Sequence, residues 1–111
     1  MIISNYGQER ELKCTDEERQ IYDLIVQILD GAGLDTSMVK LIRKSDDYVS
    51  AVMTSSGSYG DMDIARIKFT QRAKWIKTGS GFVKTKIAHP SDVQNLSESV
   101  LERYHLNEPY L

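Results

Sequence analysis

Residues 61–88 read DMDIARIKFTQRAKWIKTGSGFVKTKIA, and their apolar and polar side chains alternate with a period of two. This alternation, rich in β-branched and aromatic residues, predicts antiparallel strands that bury one face. Turn residues at 78–81 separate a first extended part, which begins at 61–70, from a last strand at 82–88. A β-sheet therefore occupies this part of the chain.

The middle of the stretch allows two topologies. Ala65, Ile67 and Phe69 share one parity, and the same parity continues to Trp75 without a Gly, Pro, Asn or Asp to break it. The chain either runs on as one long strand or turns in a hairpin at residues 70–72. With the parity kept throughout, Phe69 and Trp75 are predicted to point toward the buried side.

Two further strands are predicted upstream of this stretch. Their patterns place them at residues 38–44 and 48–54, and the polar residues 45–47 suit a tight turn between them. We expect these strands to pair as a hairpin. A loop rich in Ser and Gly follows at residues 55–60.

A helix is predicted before the strands. Thr15 and Glu18 match a capping box, in which the hydroxyl and the carboxylate each accept a hydrogen bond from the other residue's backbone amide. Apolar residues recur behind it at helical spacing, which predicts a helix at residues 16–30. Gly31 follows as the expected left-handed residue at its C-terminus.

A second helix is predicted after the strands. Pro90 ends the sheet, and Ser91 with Gln94 three positions later gives a second capping box. This helix should end near His105. The order of elements predicts an α+β fold: a two-layer domain with an antiparallel sheet of four to five strands and an N-terminal and a C-terminal helix packed on one face.

The composition fits one globular domain over residues 1–111, since 41% of the residues are hydrophobic and 27% are charged. The longest apolar run has three residues, as at 24–26, so we expect no membrane segment. Residues 1–10 lack the pattern of a secretory signal, and Cys14 has no partner for a disulfide. These features predict a cytoplasmic location.

Charge is segregated along the chain. The formal net charge is −2, yet residues 64–91 contain seven basic residues and no Asp or Glu. Arg66, Lys68, Arg72 and Lys74 take the parity opposite to the apolar residues of their stretch, and Lys84 and Lys86 alternate with apolar residues on the last strand. This pattern predicts one basic sheet face turned away from the helices, with Lys40 joining it. The predicted binding residues are Arg66, Lys68, Arg72, Lys74, Lys77, Lys84 and Lys86. The first four form its predicted centre.

No pattern in the sequence indicates catalysis. Nothing in the spacing of Cys14, His89 and His105 brings a nucleophile and a base together. The glycine spacings match neither a dinucleotide-binding nor a phosphate-binding loop, and the Asp residues do not form a calcium loop. We expect no enzyme, no metal site and no cofactor.

The segment IARIKFTQRAKWI, at residues 64–76, resembles a segment of small proteins of Gram-positive bacteria and their phages. The resemblance covers 13 residues and assigns no role to any of them. It implies a mobile-element origin. Small one-domain proteins of that setting often act by occupying a host target, as anti-CRISPR proteins do.

These observations predict a non-enzymatic protein whose basic sheet face docks on an anionic partner. The most specific form of this hypothesis is a phage-type inhibitor of a host nucleic-acid-handling complex, such as a CRISPR effector, so the partner is a host protein or ribonucleoprotein. Direct nucleic-acid binding is the first alternative. A structural or oligomeric module, including a dimer, is the second. The opposing interpretation of the basic face is an ordinary solvated side of a sheet.

Overall fold

The computed structural model describes residues 2–5, 8–11, 13–45, 47–55 and 60–111. The predicted loop at 55–60 thus falls largely outside the described residues. The elements, in chain order, are β1 (Ile2–Asn5), β2 (Gln8–Glu11), α1 (Asp16–Gly31), β3 (Val39–Ser45), β4 (Tyr48–Thr54), β5 (Asp61–Phe69), β6 (Lys74–Thr78), β7 (Val83–Lys86), a 3-10 helix (Pro90–Leu96), α2 (Ser97–Asn107) and a last 3-10 turn (Glu108–Tyr110).

Strands β3 to β7 form one antiparallel sheet in which each strand pairs with the next in the chain. This confirms the predicted α+β fold, with five strands in the sheet. Of the two topologies left open, the hairpin is correct, because the amide of Thr70 donates to the carbonyl of Ala73 at 2.9 Å and closes a turn between β5 and β6. The additional hairpin β1–β2 was not predicted; it contacts β3.

The helices cover one face of the five-stranded sheet, here called the inner face; the opposite side is the outer face. One buried cluster joins the inner face to both helices. Its members are Ile21, Ile25, Leu29, Leu41, Val49, Ala51, Met53, Ile64, Ala65, Ile67, Phe69, Ile76, Ile87, Val93, Val100 and Tyr104. On the outer face Ile42 and Val52 are also buried, whereas β7 is exposed along its whole length.

The predicted capping box of α1 is confirmed, and it also joins the helix to the sheet. The Thr15 hydroxyl accepts from the Glu18 amide at 3.1 Å and donates to the carbonyl of Phe69 at 2.8 Å. The buried Glu18 carboxylate accepts from the amides of Thr15 and Phe69, each at 2.9 Å. The amide and the carbonyl of Phe69, at the end of β5, are therefore both hydrogen-bonded to the N-terminal end of α1.

Two details of the predicted helices are wrong. Gly31 is still helical, and the left-handed residue is Gly33, with φ of 77°. The second helix begins as the 3-10 segment, and α2 starts only at Ser97. At the start of the 3-10 segment, the Asp92 carboxylate accepts from the amides of Ala88 and His89 at 2.8 and 3.0 Å. The carboxylate of Asp92 fixes this start, where a Ser91 and Gln94 box was expected.

A bulge in β5 fixes how α2 meets the sheet. The β4–β5 register places Ile64 as an extra residue, and its carbonyl accepts from the buried Thr78 hydroxyl at 2.9 Å. The neighbouring carbonyl of Asp63 accepts from Arg103 Nε at 3.0 Å and from Asn107 Nδ2 at 2.9 Å. Since two side chains of α2 bind this bulge, the helix is anchored over β5.

None of the helices in the described ranges is both long enough and apolar enough to cross a membrane.

Candidate functional site

The outer face of β5–β7 carries two rows of residues in register. In the first row Trp75 on β6 lies directly between Lys68 on β5 and Lys86 on β7. Neighbouring strands lie about 4.8 Å apart, so both lysines start within about 5 Å of the tryptophan backbone. Strand pairing thus places one aromatic ring between two cations.

The second row lies two residues along the same strands. Here Lys77 pairs with Arg66 on one side and with Lys84 on the other. Like charges directly opposite each other across a sheet destabilise it, and an anion bound between them relieves the repulsion. The Lys77–Lys84 pair of this row therefore has electrostatics that favour a bound anion.

We call Lys68, Lys77, Lys84 and Lys86, with Trp75 among them, the lysine patch. The first two lysines are half-buried and the last two are exposed. Within the described part of the chain, no carboxylate forms an ion pair with any of the four ammonium groups. One acidic residue, Asp47, lines the same depression as Lys68, Lys77 and Lys84.

The predicted inward position of Trp75 is wrong, because this residue lies on the outer face. The turn at residues 70–73 changes the parity, so that Phe69 pairs with Lys74 and Lys68 pairs with Trp75. The ring centroids of Trp75 and Tyr48 lie 6.2 Å apart, which makes an aromatic pair on the outer face. The outer face therefore has more aromatic surface than its sequence parity indicated.

The same change of parity corrects two predicted binding residues. Lys74 shares the side of Phe69, and its ammonium lies 5.2 Å from the centre of that ring. Arg72 lies in the exposed turn, where its amide donates to the Thr70 hydroxyl at 3.3 Å. Neither residue belongs to the rows of the outer face, although both line a depression beside Trp75.

Two shallow depressions flank Trp75. One, of about 340 Å³, is lined by Tyr48, Lys68 and Lys77 among others. The second, of about 510 Å³, is lined by Arg72, Lys74 and Lys86 among others. Ala73, Trp75 and Lys84 line both, so the two depressions adjoin at these residues. The Lys84 ammonium lies 4.7 Å from the tryptophan ring, and that of Lys77 lies 6.0 Å away.

The other half of the outer face contains cations that are already paired. Lys40 Nζ lies 3.7 Å from Asp61 Oδ1, and Arg66 lies 3.2 Å from the Asp63 carboxylate. We call these two ion pairs the paired end. Lys40 is on the predicted face, but its charge, like that of Arg66, is balanced by a neighbour. Arg66, predicted at the centre of the basic face, thus lies at its boundary.

Phe82 is held beside this boundary by two guanidinium groups. Arg66 lies 5.3 Å and Arg103 lies 4.4 Å from the centre of its ring. Phe82 has φ of 49°, which is unusual for a residue with a large side chain. The two cation–π contacts offset the strain of that backbone and fix the β6–β7 turn next to the lysine patch.

The remaining reactive groups are distributed over the helical layer. Burial, with the Glu18 carboxylate nearby, raises the pKa of the Cys14 thiol, which favours its protonated form. The Nδ1 atom of His105 contacts the Glu108 carboxylate, and His89 is exposed. The described residues contain no cluster of three His, Cys, Asp or Glu side chains that could hold a metal ion.

In comparisons with known proteins, no family model, no curated protein and no solved structure matches the chain.

Proposed function

We propose that the chain is a non-enzymatic binding protein that holds a nucleic-acid strand by its phosphates on the lysine patch. The observation that carries this proposal is the cross-strand pairing of Lys77 with Lys84 in a patch whose lysines have no ion-pair partner among the described residues. An ordinary solvated face mixes both signs of charge, as the paired end does. Phosphates would neutralise the patch and release their own counterions.

The composition of the patch favours nucleic acid over an acidic protein surface. Interfaces between proteins are depleted in lysine and enriched in arginine, whereas the two outer rows of β5–β7 contain four lysines and one arginine, Arg66. Lysine is a common phosphate contact, and aromatic residues among such cations are typical of surfaces that bind nucleic-acid strands. Tyr48 and Trp75 supply that aromatic component.

Docking on a host protein or ribonucleoprotein, including the inhibitor role implied by the resemblance of residues 64–76, remains a prediction. Such docking would use the same patch, and it differs from direct nucleic-acid binding in the affinity for isolated DNA. A protein-directed patch should show no retention of isolated single-stranded or duplex DNA at about 0.1 M salt. An oligomeric role also remains a prediction, which sedimentation at micromolar concentration would test.

The proposal is tested by fluorescence anisotropy of a labelled oligothymidylate about 12 nucleotides long, titrated with the protein from about 0.05 to 0.2 M salt. Four phosphates neutralised on a single strand predict a slope of about −3 for log K against log salt. Replacing Lys77 or Lys84 by Gln should reduce the steepness of that slope by about 0.7, because one phosphate fewer is neutralised in each variant.

Arg19→Gln is the matched control, because Arg19 is an exposed cation on α1, on the other side of the sheet. This substitution changes the net charge of the protein by the same amount as Lys77→Gln or Lys84→Gln, and it should leave the slope unchanged. Absence of binding at the lowest salt would contradict the proposal. An equal loss of affinity in the control and in the lysine variants would also contradict the proposal, because it would show that the oligonucleotide is attracted by net charge alone.

A further inference from the structure

We infer that Trp75 is a base-stacking residue and that the strand held on the patch is single-stranded. This inference rests on the proposed function and names its substrate class. The ring lies at the middle of the first row, with Lys68 and Lys86 directly opposite on the two neighbouring strands. A base stacked there would have its flanking phosphates within reach of cations on both sides.

The tryptophan ring is presently covered by lysine ammonium groups that a base could displace. Lys84 lies 4.7 Å from the ring centre. A solvent-exposed cation over an aromatic ring contributes less than a stacked base does. When a base takes that place, the displaced ammonium becomes available to a phosphate. One exchange thus forms a stacking contact and an ionic contact together.

The shape of the surface agrees with a chain of unpaired nucleotides. The depressions on the two sides of Trp75 share Trp75 and Lys84 among their lining residues, so they lie next to each other with the tryptophan between them. Tyr48, 6.2 Å from Trp75, lines the first depression as a second ring, with the Arg66 guanidinium 4.9 Å from its centre. Adjacent nucleotides could therefore occupy the two depressions, one on each side of Trp75.

A duplex does not suit this surface. Its bases are stacked on one another, and only its backbone and groove edges are accessible to a sheet face. Single strands expose base faces to aromatic side chains. An aromatic ring at the centre of the cations is useful for an unpaired base and of little use for a backbone contact alone.

The test uses the intrinsic fluorescence of the protein, because the chain has one tryptophan. Oligothymidylate should quench the emission of Trp75 saturably, with the same affinity as the anisotropy titration. Trp75→Phe keeps an aromatic face and should bind within about threefold of the original protein. Trp75→Leu keeps apolar bulk without that face and should bind about 5- to 150-fold more weakly. Thermal unfolding of both variants establishes that they are folded.

The possible failures are distinguishable. If Lys84→Gln weakens binding while Trp75→Leu does not, and the emission is unquenched, the stacking inference is wrong and the proposed phosphate binding stands. Duplex DNA bound as tightly as the single strand, with no effect of Trp75→Leu, also overturns the inference. If no oligonucleotide changes the anisotropy at any salt concentration, the proposed function itself fails.

Discussion

Ile67 and Lys68 are neighbours on β5, yet they belong to two surfaces with different roles. Ile67 is fully buried against the helices, and Lys68 lies on the outer face opposite Trp75. The inner face of β5–β7 is apolar and stabilises the fold, whereas the outer face places cations opposite cations at a cost in stability. If the outer face binds a strand as proposed, substitutions on the two faces should change stability and binding separately.

The largest effect should come from the inner face. Ile67→Ala removes a fully buried side chain, and large-to-small core substitutions of this kind cost about 2–5 kcal/mol. The free energy of unfolding from urea denaturation measures the loss. Oligonucleotide affinity of the protein that remains folded should be unchanged. A large loss of affinity at preserved stability would show that the two faces are not separable.

The next effect should come from Lys84→Glu on the outer face. The substitution turns a like-charge pair with Lys77 into an opposite-charge pair, which stabilises a sheet by about 0.2–1 kcal/mol. The same change should weaken oligonucleotide binding about tenfold or more, equivalent to about 1.4 kcal/mol. Thermal unfolding and anisotropy measure the two quantities. If Lys84→Glu is less stable than the original protein and binds the oligonucleotide equally well, the Lys77–Lys84 pair has no binding role.

Acid pH should affect the helical layer before the lysine patch. Hydrogen bonds from the amides of Ala88 and His89 lower the pKa of Asp92 below its ordinary value of 3.8. A lowered folded-state pKa contributes stability that is present above the ordinary value and is lost as pH falls through the folded value. Asp92→Asn should therefore be less stable near neutral pH and lose less stability on acidification. Denaturation at several pH values tests this, and parallel curves for the two proteins would contradict it.

The smallest effect should come from the paired end. Asp61→Asn removes the carboxylate beside Lys40 and leaves that lysine available to a phosphate. A surface ion pair is worth about 0–1 kcal/mol, so the expected gain in affinity is at most a few-fold. Anisotropy at low salt measures it. Weaker binding would mean that Asp61 itself takes part in the contact.

Local signals made much of the fold predictable. The capping box of Thr15 and Glu18 and the bounds of β4 depend on residues close together in the chain. The β5–β6 turn was harder, since residues 70–73 contain no typical turn residue apart from Thr70. Its hydroxyl accepts from the amides of Arg72 and Ala73, and this Ser/Thr-type turn is the signal that could have decided between the two topologies.

The composition of the site was predictable, but its arrangement was not. The run of basic residues predicted Lys68, Lys77, Lys84 and Lys86 as part of a group of seven. The other three members, Arg66, Arg72 and Lys74, were predicted at its centre and lie outside the lysine patch. The side taken by Trp75 depends on the turn. The pairing of Arg66 depends on the bulge at Ile64, which is stabilised by the distant Thr78 hydroxyl. Such long-range contacts leave no periodic signal in the sequence.

Docking of a nucleic-acid strand on the outer face of β5–β7 can be followed residue by residue. Amide chemical shifts recorded by NMR during titration with oligothymidylate provide this measurement. Shift changes concentrated on β5, β6, β7 and Tyr48, with α1 unaffected, are the predicted result. Changes centred on α1 or α2, or none at saturating oligonucleotide, would contradict docking on this face.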